Sequence, residues 1–275
     1  MTQTQQQSIT TTAPKQTKTQ SPTPTQTQVQ VPAQVQTSNS SGISFQVIET
    51  AAGNATSQTN VPKVHCSGLV CIAGYAKYLD PALVGTNGTA PRFLISRDGG
   101  ATFAHFDAAN AATAAYFSQS PNIIGDGKGN MFIIISANAN KSAPVDAIVL
   151  KFSSSNNYAA PIYKTAITDP TAGYTKYSAA FDTARNQIYF MNYANSVDGT
   201  SHNNFFVIDA GTGVQKKAVA LTKTHGSDYG HGLQYANLAF YGTSVFAAWP
   251  SYVCPNGPSG SCTYESIQGI RSDDG

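Results

Sequence analysis

Charge is scarce in this chain of 275 residues, which carries 16 Lys and Arg against 14 Asp and Glu and has a formal net charge of +2. A balance this even provides neither the basic patch that nucleic-acid binding requires nor a polybasic segment for a membrane surface. No apolar run approaches the length of about 18 residues that spans a bilayer. We therefore expect no nucleic-acid partner and no membrane span.

Common catalytic motifs are also missing. The sequence has no G-x-S-x-G elbow, no P-loop and no H-E-x-x-H motif. Residues 125–130 are rich in glycine but lack the P-loop spacing and lead into an apolar strand pattern, so they predict a hairpin turn. We expect no cofactor and no metal site.

The four cysteines fall into two close pairs, Cys66 with Cys71 and Cys254 with Cys262. An even number of cysteines in local pairs favours two short-loop disulfides and an oxidising compartment. Neither pair has the two-residue spacing of a zinc knuckle, which argues against zinc. We expect an extracellular or cell-surface protein. The N-terminus lacks the apolar segment of a standard signal peptide, which indicates another export route or a start upstream of Met1.

Residues 1–42 form a Thr- and Gln-rich tract in which Lys15 and Lys18 are the only charged side chains. The tract has almost no aliphatic side chains and cannot bury a core, so it predicts a disordered linker or stalk. We interpret it as an inert tether or as a mucin-like or wall-spanning spacer.

Residues 43–275 consist of short apolar runs separated by Gly, Asn, Asp and Pro. Four of these runs can be superimposed as equivalent strands beginning at Val70, Met131, Ile188 and Val245. The last three starts are 57 residues apart, and Val70 precedes Met131 by 61. Each run follows a turn rich in small polar residues, which is typical of a strand-and-turn protein.

A second strand and turn follow each run after roughly twenty residues, as for the strands that begin at Phe93, Ile148 and Phe205. A repeat of about 50–60 residues with two hairpins is what a four-stranded propeller blade needs. The sequence therefore predicts an all-β fold, a β-propeller with about four blades in residues 43–275. An Ala-rich stretch, residues 107–116, predicts one short helix.

The most specific motif has the pattern S-x-D-x-G-x-T-aromatic and is partly repeated at the end of the chain. Its residues are Ser96, Asp98, Gly100, Thr102 and Phe103, with Ser272 and Asp274 in the second copy. The pattern resembles the Asp-box of the bacterial neuraminidase repeat, found in sialidase-like β-propellers. The resemblance implies a structural turn in which Asp98 accepts backbone N–H groups two or three residues on, and Phe103 covers the turn. Sialidase-like propellers usually have six blades, so we expect this chain to be a fragment, incomplete at its C-terminus.

In this family the Asp-boxes lie on the rim opposite the binding face, so the resemblance also implies where a ligand would bind. The loops assigned to that face carry aromatic side chains beside hydrogen-bonding groups, an arrangement that suits the C–H faces and hydroxyls of sugar rings. The same tyrosines can instead be ordinary packing residues. The candidates are Tyr75, Tyr78, Asp80, Arg92, Tyr193, Asp198, His202, His225, Asp228, His231, Trp249, Tyr252, Tyr264 and Glu265.

The segment 225–231 is the densest polar cluster, with His225, Asp228 and His231 among glycines. Two imidazoles and a carboxylate can bind a metal or act as acid and base. Nothing in a Gly-rich loop fixes their geometry, so they are kept as binding-face candidates and no metal site is assigned to them.

A sialidase resemblance implies a retaining glycosidase with three arginines on the substrate carboxylate, a Tyr/Glu nucleophile pair and an Asp acid/base. Bidentate guanidinium pairing explains the arginines. The chain has four arginines, of which Arg97, Arg185 and Arg271 belong to turns on the wrong rim, and only Arg92 is well placed. Glu265 follows Tyr264 directly, and neighbours on a regular strand point to opposite faces. These residues do not make a full sialidase site.

Three hypotheses remain. The first is a secreted or surface-displayed propeller that binds glycan or another surface ligand through its loops. The second is a sialidase-like or related glycoside hydrolase whose site is completed by further blades. The third is a structural or adhesive surface protein without catalysis.

Overall fold

The computed structural model describes residues 35–36, 45–46, 64–78, 89–114, 121–136, 147–167, 177–195, 201–221, 237–253 and 263–273, and toward some strand ends it describes the backbone only. Seventeen strands, one α-helix and one 3₁₀ turn are present in these residues. None of the helical segments among them is long and apolar enough to cross a bilayer.

Two four-stranded antiparallel sheets form the first half of the fold, each with its strands paired in chain order. Blade 1 contains β3 Val64–Ser67, β4 Val70–Tyr78, β5 Thr89–Ser96 and β6 Ala104–His105. Helix α1, Asp107–Thr113, follows it. Blade 2 contains β7 Asn122–Gly125, β8 Asn130–Ser136, β9 Ala147–Ser153 and β10 Tyr163–Ile167, with a 3₁₀ turn at Ser154–Asn156.

Two further sheets repeat the pattern. Blade 3 contains β11 Tyr177–Asp182, β12 Gln187–Asn195, β13 Ser201–Asp209 and β14 Gln215–Leu221. Blade 4 contains, within the described residues, the three strands β15 Asn237–Tyr241, β16 Ser244–Val253 and β17 Thr263–Ser272. A separate pair joins β1 Val35–Gln36 to β2 Phe45–Gln46.

The blades follow one another around a common axis. The first strands of successive blades lie side by side, β3 against β7, β7 against β11 and β11 against β15. The later strands of each blade are progressively further from this inner row. This is the arrangement of a β-propeller, and the predicted fold class is confirmed.

Each interior blade buries both of its faces, which explains its continuous apolar strands. In β8, Met131 and Ile133 belong to the core between blades 1 and 2, whereas Phe132 and Ile134 belong to the core between blades 2 and 3. Successive side chains of a strand point to opposite faces, so a strand packed on both sides is apolar at every position. The clearest strand signals in the sequence therefore come from the blades with two neighbours.

The predicted strands and the short helix agree with these bounds. The predicted tail needs one addition, because β1 lies within residues 1–42 and pairs with β2 beyond residue 42. The remaining residues of the tail lie outside the described part of the chain.

Candidate functional site

Alternating strand directions divide the connections of the propeller between two edges. The turns that join strands one and two, and strands three and four, of each blade form one edge, which we call the turn rim. The loops between strands two and three, and the connections between blades, form the opposite edge, which we call the loop face.

The turn after β5 is held by its own side chains. Ser96 Oγ donates to Asp98 Oδ1 at 2.7 Å and accepts from Gly100 N at 2.8 Å. Asp98 accepts from Thr102 twice, at 2.9 Å from N and at 2.5 Å from Oγ1. The partner lies four residues on, rather than the predicted two or three, because the Ser96 hydroxyl already binds Gly100. Phe103 is half-buried directly before β6.

Hydrogen bonding also stabilises the ionised form of Asp98. The Thr102 hydroxyl, the Thr102 amide and the Ser96 hydroxyl lower the pKa of Asp98 to about 2. Gly99 and Gly100 have φ of +75° and +93°, a backbone conformation that side chains with a Cβ rarely adopt. Both carboxylate oxygens of Asp98 thus accept hydrogen bonds within the turn, which agrees with the turn role that the sequence predicted.

The equivalent turns of blades 2 and 3 differ in sequence but occupy the same place. In blade 2, Ser153 Oγ accepts from Ser155 N at 3.2 Å. In blade 3, Asp209 Oδ1 accepts from Gly211 N and Thr212 N, both at 2.9 Å, and Lys216 pairs with its other oxygen at 2.8 Å. The Lys216 ammonium and the Thr212 amide lower the pKa of Asp209 to about 2.

The second copy of the motif begins at the same point of blade 4. Ser272 pairs with Val245, as Ser96 pairs with Cys71. Asp273 Oδ1 accepts from Ser244 Oγ at 2.7 Å, which joins this turn to the one before β16. Asp274 lies outside the described residues.

Three of the four arginines are used on the turn rim. Arg97 donates to Asn157 of blade 2, and Arg185 donates to the carbonyl oxygen of Thr243 in blade 4 at 2.8 Å. Arg271 pairs with Asp273 within blade 4. The placement predicted for these arginines agrees with the structure.

The disulfide Cys66–Cys71 is present and closes the β3–β4 hairpin, in which the two residues are directly opposite. Cys254 and Cys262 lie outside the described residues. They flank Val253 and Thr263, the last pair of the β16–β17 ladder.

Near the loop face, blade 1 brings together two of the candidate residues. Tyr75 and Arg92 are direct neighbours across β4 and β5, and both are half-buried. Phe93 points into the core between blades 1 and 2, so Arg92 points to the other face of the blade. Arg92 Nη1 donates to the carbonyl oxygen of Pro91 at 3.0 Å.

Blades 3 and 4 place further candidates at the loop ends of paired strands. Ala194 pairs with His202 next to the pair of Tyr193 with Asn203. Tyr252 pairs directly with Tyr264. The sequence pattern had found these residues, but only the ladder shows which of them are opposite one another.

A β-bulge in blade 4 changes the argument about Glu265. Ser251 pairs with Ser266 and Tyr252 with Tyr264, so Glu265 is the extra residue between two regular pairs. The expectation that Tyr264 and Glu265 point to opposite faces assumed regular pairing, and that assumption is wrong here. A bulge redirects side chains locally and is common near functional sites.

The remaining candidates are placed by their backbone alone or lie outside the described residues. Tyr78 and Trp249 are placed by their backbone in β4 and β16, where Trp249 pairs with Gln268. Outside the described residues are Asp80, Asp198, His225, Asp228 and His231. Within the described part of the chain, no group of three or more His, Cys, Asp or Glu side chains could hold a metal ion.

No family model matches the chain, and no curated protein sequence matches it. Among solved structures, the catalytic domain of a GH62 α-L-arabinofuranosidase from Coprinopsis cinerea is 11% identical, with 82% of this chain and 68% of that chain covered and a TM-score of 0.49. An endo-arabinase from Bacteroides thetaiotaomicron is 12% identical, with 82% and 81% covered and a TM-score of 0.47. The β-propeller domain of the Trilobed protease from Pyrococcus furiosus is 9% identical, with 78% and 58% covered and a TM-score of 0.39. At this level of similarity, none of these activities is carried over to the chain.

Proposed function

We propose that this protein is a glycan-binding propeller and that the ligand binds on the loop face of blades 3 and 4. The observation that carries the proposal is the pairing of Tyr252 with Tyr264 at the loop end of blade 4, beside the bulge at Glu265. Two aromatic residues and a carboxylate at one strand end combine the apolar and polar groups that a sugar ring needs.

The aspartates of the turn rim are already used in structural bonds, which favours the loop face as the ligand site. Asp98, Asp182 and Asp209 are each used by hydrogen bonds or ion pairs within their own turns. Burial opposes ionisation of Asp182, but bonds from Arg185 and the Ala184 amide outweigh it and leave the pKa lowered. Carboxylates held in this way are fixed acceptors and make poor acid–base groups at neutral pH.

Recognition of an acidic sugar by an arginine triad is not supported by the described arginines. Arg97, Arg185 and Arg271 are on the turn rim, away from the proposed site. Arg92 lies on a different blade from the Tyr252–Tyr264 pair. Neutral sugars are therefore the ligand class that we propose, bound by aromatic and amide or hydroxyl groups.

The disulfide Cys66–Cys71 supports an extracellular or surface location, because such bonds persist in oxidising compartments.

The test is a glycan array with the full-length, non-reduced protein, followed by calorimetry with the best neutral ligand. We expect Tyr264→Ala to weaken binding about tenfold, the order of one lost aromatic platform. Tyr241→Ala is the matched control, because Tyr241 is 83% exposed on the same blade but on the turn rim. Absence of glycan binding by the folded protein would favour a structural or adhesive role. Equal loss in both variants would place the site elsewhere.

A second candidate function is glycoside hydrolysis, favoured by the bulge at Glu265. Release of nitrophenol from neutral nitrophenyl glycosides measures it directly. If turnover occurs and Glu265→Gln abolishes it while binding persists, hydrolysis replaces simple binding as the function. If no substrate is cleaved, the binding role stands alone.

A further inference from the structure

A cavity of about 150 Å³ lies between blades 3 and 4, away from the loop-face site. Its walls come from β13 and β14 on one side and from β16 and β17 on the other. The lining residues are Phe205, Lys217, Val219, Val245, Ala247, Ile270 and Ser272. All are apolar except one lysine and one serine.

The strand registers show which side chains meet at this interface and at the other two described interfaces. Four equivalent positions of each blade face the preceding blade, in the second and third strands. They are Met131, Ile133, Leu150 and Phe152 in blade 2, Ile188, Phe190, Phe206 and Ile208 in blade 3, and Val245, Ala247, Ile270 and Ser272 in blade 4. In blades 2 and 3 all of these side chains are fully buried.

At three of these positions, the side chain in blade 4 is smaller than the equivalent side chains in blades 2 and 3. Ala247 replaces Ile133 and Phe190, and Ser272 replaces Phe152 and Ile208. Ile270 is 38% exposed, whereas Leu150 and Phe206 are 0% exposed. The smaller side chains leave space at this interface, which is partly open at Ile270.

The size and lining of the cavity define the ligand class. A volume of about 150 Å³ has room for one six-membered ring, since an enclosed apolar cavity of that volume binds benzene. This cavity is open to solvent at Ile270 and Lys217. Lys217 adds one positive charge to the lining, and it lies on the blade-4 side of β14 because it pairs with Val207 of the same core. Its neighbour Lys216 is paired with Asp209, whereas Lys217 has no carboxylate partner among the described residues.

We propose that this cavity is a binding site for a small aromatic carboxylate, with the ring between Ala247 and Phe205 and the carboxylate at Lys217. The site is independent of the glycan proposal, since it uses the turn-rim half of β16 and β17 and none of the same residues.

Benzoate is the probe, with benzyl alcohol as the uncharged analogue and acetate as the analogue without a ring. Titrations are followed by the methyl signals of Val219, Val245 and Ile270 in the full-length protein. We expect ring-current shifts from benzoate and benzyl alcohol, and none from acetate. Shifts confined to other methyl groups would overturn the proposal.

Two variants separate the ring from the charge. Ala247→Ile restores the residue found at Ile133, and we expect it to abolish binding of both aromatic probes. Lys217→Gln should weaken benzoate about three- to fivefold, as for an exposed ion pair, and leave benzyl alcohol unchanged. Lys216→Gln is the matched control and should change neither. If Ala247→Ile does not fold, Ile270→Phe at the partly exposed edge fills the same space.

Three results would contradict the site. The first is unchanged benzoate affinity in the filled variants. The second is equal effects of Lys217→Gln and Lys216→Gln. The third is a nuclear Overhauser contact, in the free protein, between the Ile270 methyl groups and an aromatic ring outside the core that contains Phe205, Tyr189 and Phe240, because the cavity would then already be filled.

Discussion

Arg97, in the turn after β5, holds Asn157 of the next blade through both ends of its guanidinium group. Nη1 donates to Oδ1 at 2.6 Å and Nη2 donates to the backbone oxygen at 3.1 Å. Asn157 has a φ of +55°, so the contact also supports a left-handed residue. Lys151 and Arg185 make comparable bonds from blade 2 to blade 3 and from blade 3 to blade 4. Cations on the turn rim thus connect neighbouring blades.

Arg97→Lys should weaken the junction of blades 1 and 2. Lysine keeps the charge but cannot make both bonds from one planar group. We expect the free energy of unfolding to fall by less than about 1 kcal/mol, because the site is exposed. Urea denaturation measures this change. Arg271→Lys is the control, since Arg271 bonds within its own blade, and an equal effect in the control would contradict the inter-blade role.

Asp98→Asn should destabilise the protein in a pH-dependent way. The folded-state pKa of Asp98 is lowered to about 2, mainly by the Thr102 hydroxyl. A lowered pKa gives a contribution that is fully present above the unfolded-state value of about 3.9 and is lost as the pH falls through about 2. The difference between wild type and variant should therefore be constant from pH 7 to about pH 5 and decrease below about pH 4.

Urea midpoints between pH 2 and pH 7 check this profile. Thr102→Val removes the hydroxyl donor, so the stability contributed by the Asp98 carboxylate should be lost at a higher pH. A stability difference that does not change with pH would show that the carboxylate charge is not what holds the turn.

Gly125→Ala should destabilise the contact between blades 1 and 2. A Cβ at this position would lie 2.1 Å from Nε2 of His65, a half-buried ring of β3. Overpacking of this kind costs about 1–3 kcal/mol. The double variant His65→Ala/Gly125→Ala should recover much of that loss. Thermal or urea unfolding of all four proteins gives the coupling energy, and simple additivity would contradict the predicted clash.

The Cys66–Cys71 disulfide should contribute about 2 kcal/mol to stability, the order expected for a short loop. Cys66→Ala/Cys71→Ala tests this by urea denaturation, with the wild type in reductant as a second comparison. Equal stability of the oxidised and reduced wild type would show that the hairpin needs no crosslink.

Cys254 and Cys262 should form a second disulfide. They flank Val253 and Thr263, which are paired in the β16–β17 ladder, so regular continuation of the ladder would bring them opposite each other. Peptide mapping without reduction should recover the two cysteines in one linked peptide. Thiol labelling of both residues in the native, non-reduced protein would contradict the prediction.

The strands could be predicted from the sequence because each strand is a continuous run of residues with a recognisable apolar pattern. The spacing of 57 residues between Met131, Ile188 and Val245 corresponds to one blade each, and all three residues occupy the second position of their strands. The candidate binding residues were only partly predictable. Their residue types indicated a loop edge, but the bulge at Glu265 depends on the register of two strands, which residue types do not specify.

The sequence by itself determined the blades, their turns and the structural role of Asp98, because those interactions join residues a few positions apart. Only the tertiary structure decided which residues contact one another between blades. Arg97 reaches Asn157 across 60 positions, and Ser272 leaves a cavity where Phe152 and Ile208 fill the equivalent space. Such contacts depend on the volumes and registers of distant strands packed face to face, and no pattern along the chain encodes them locally.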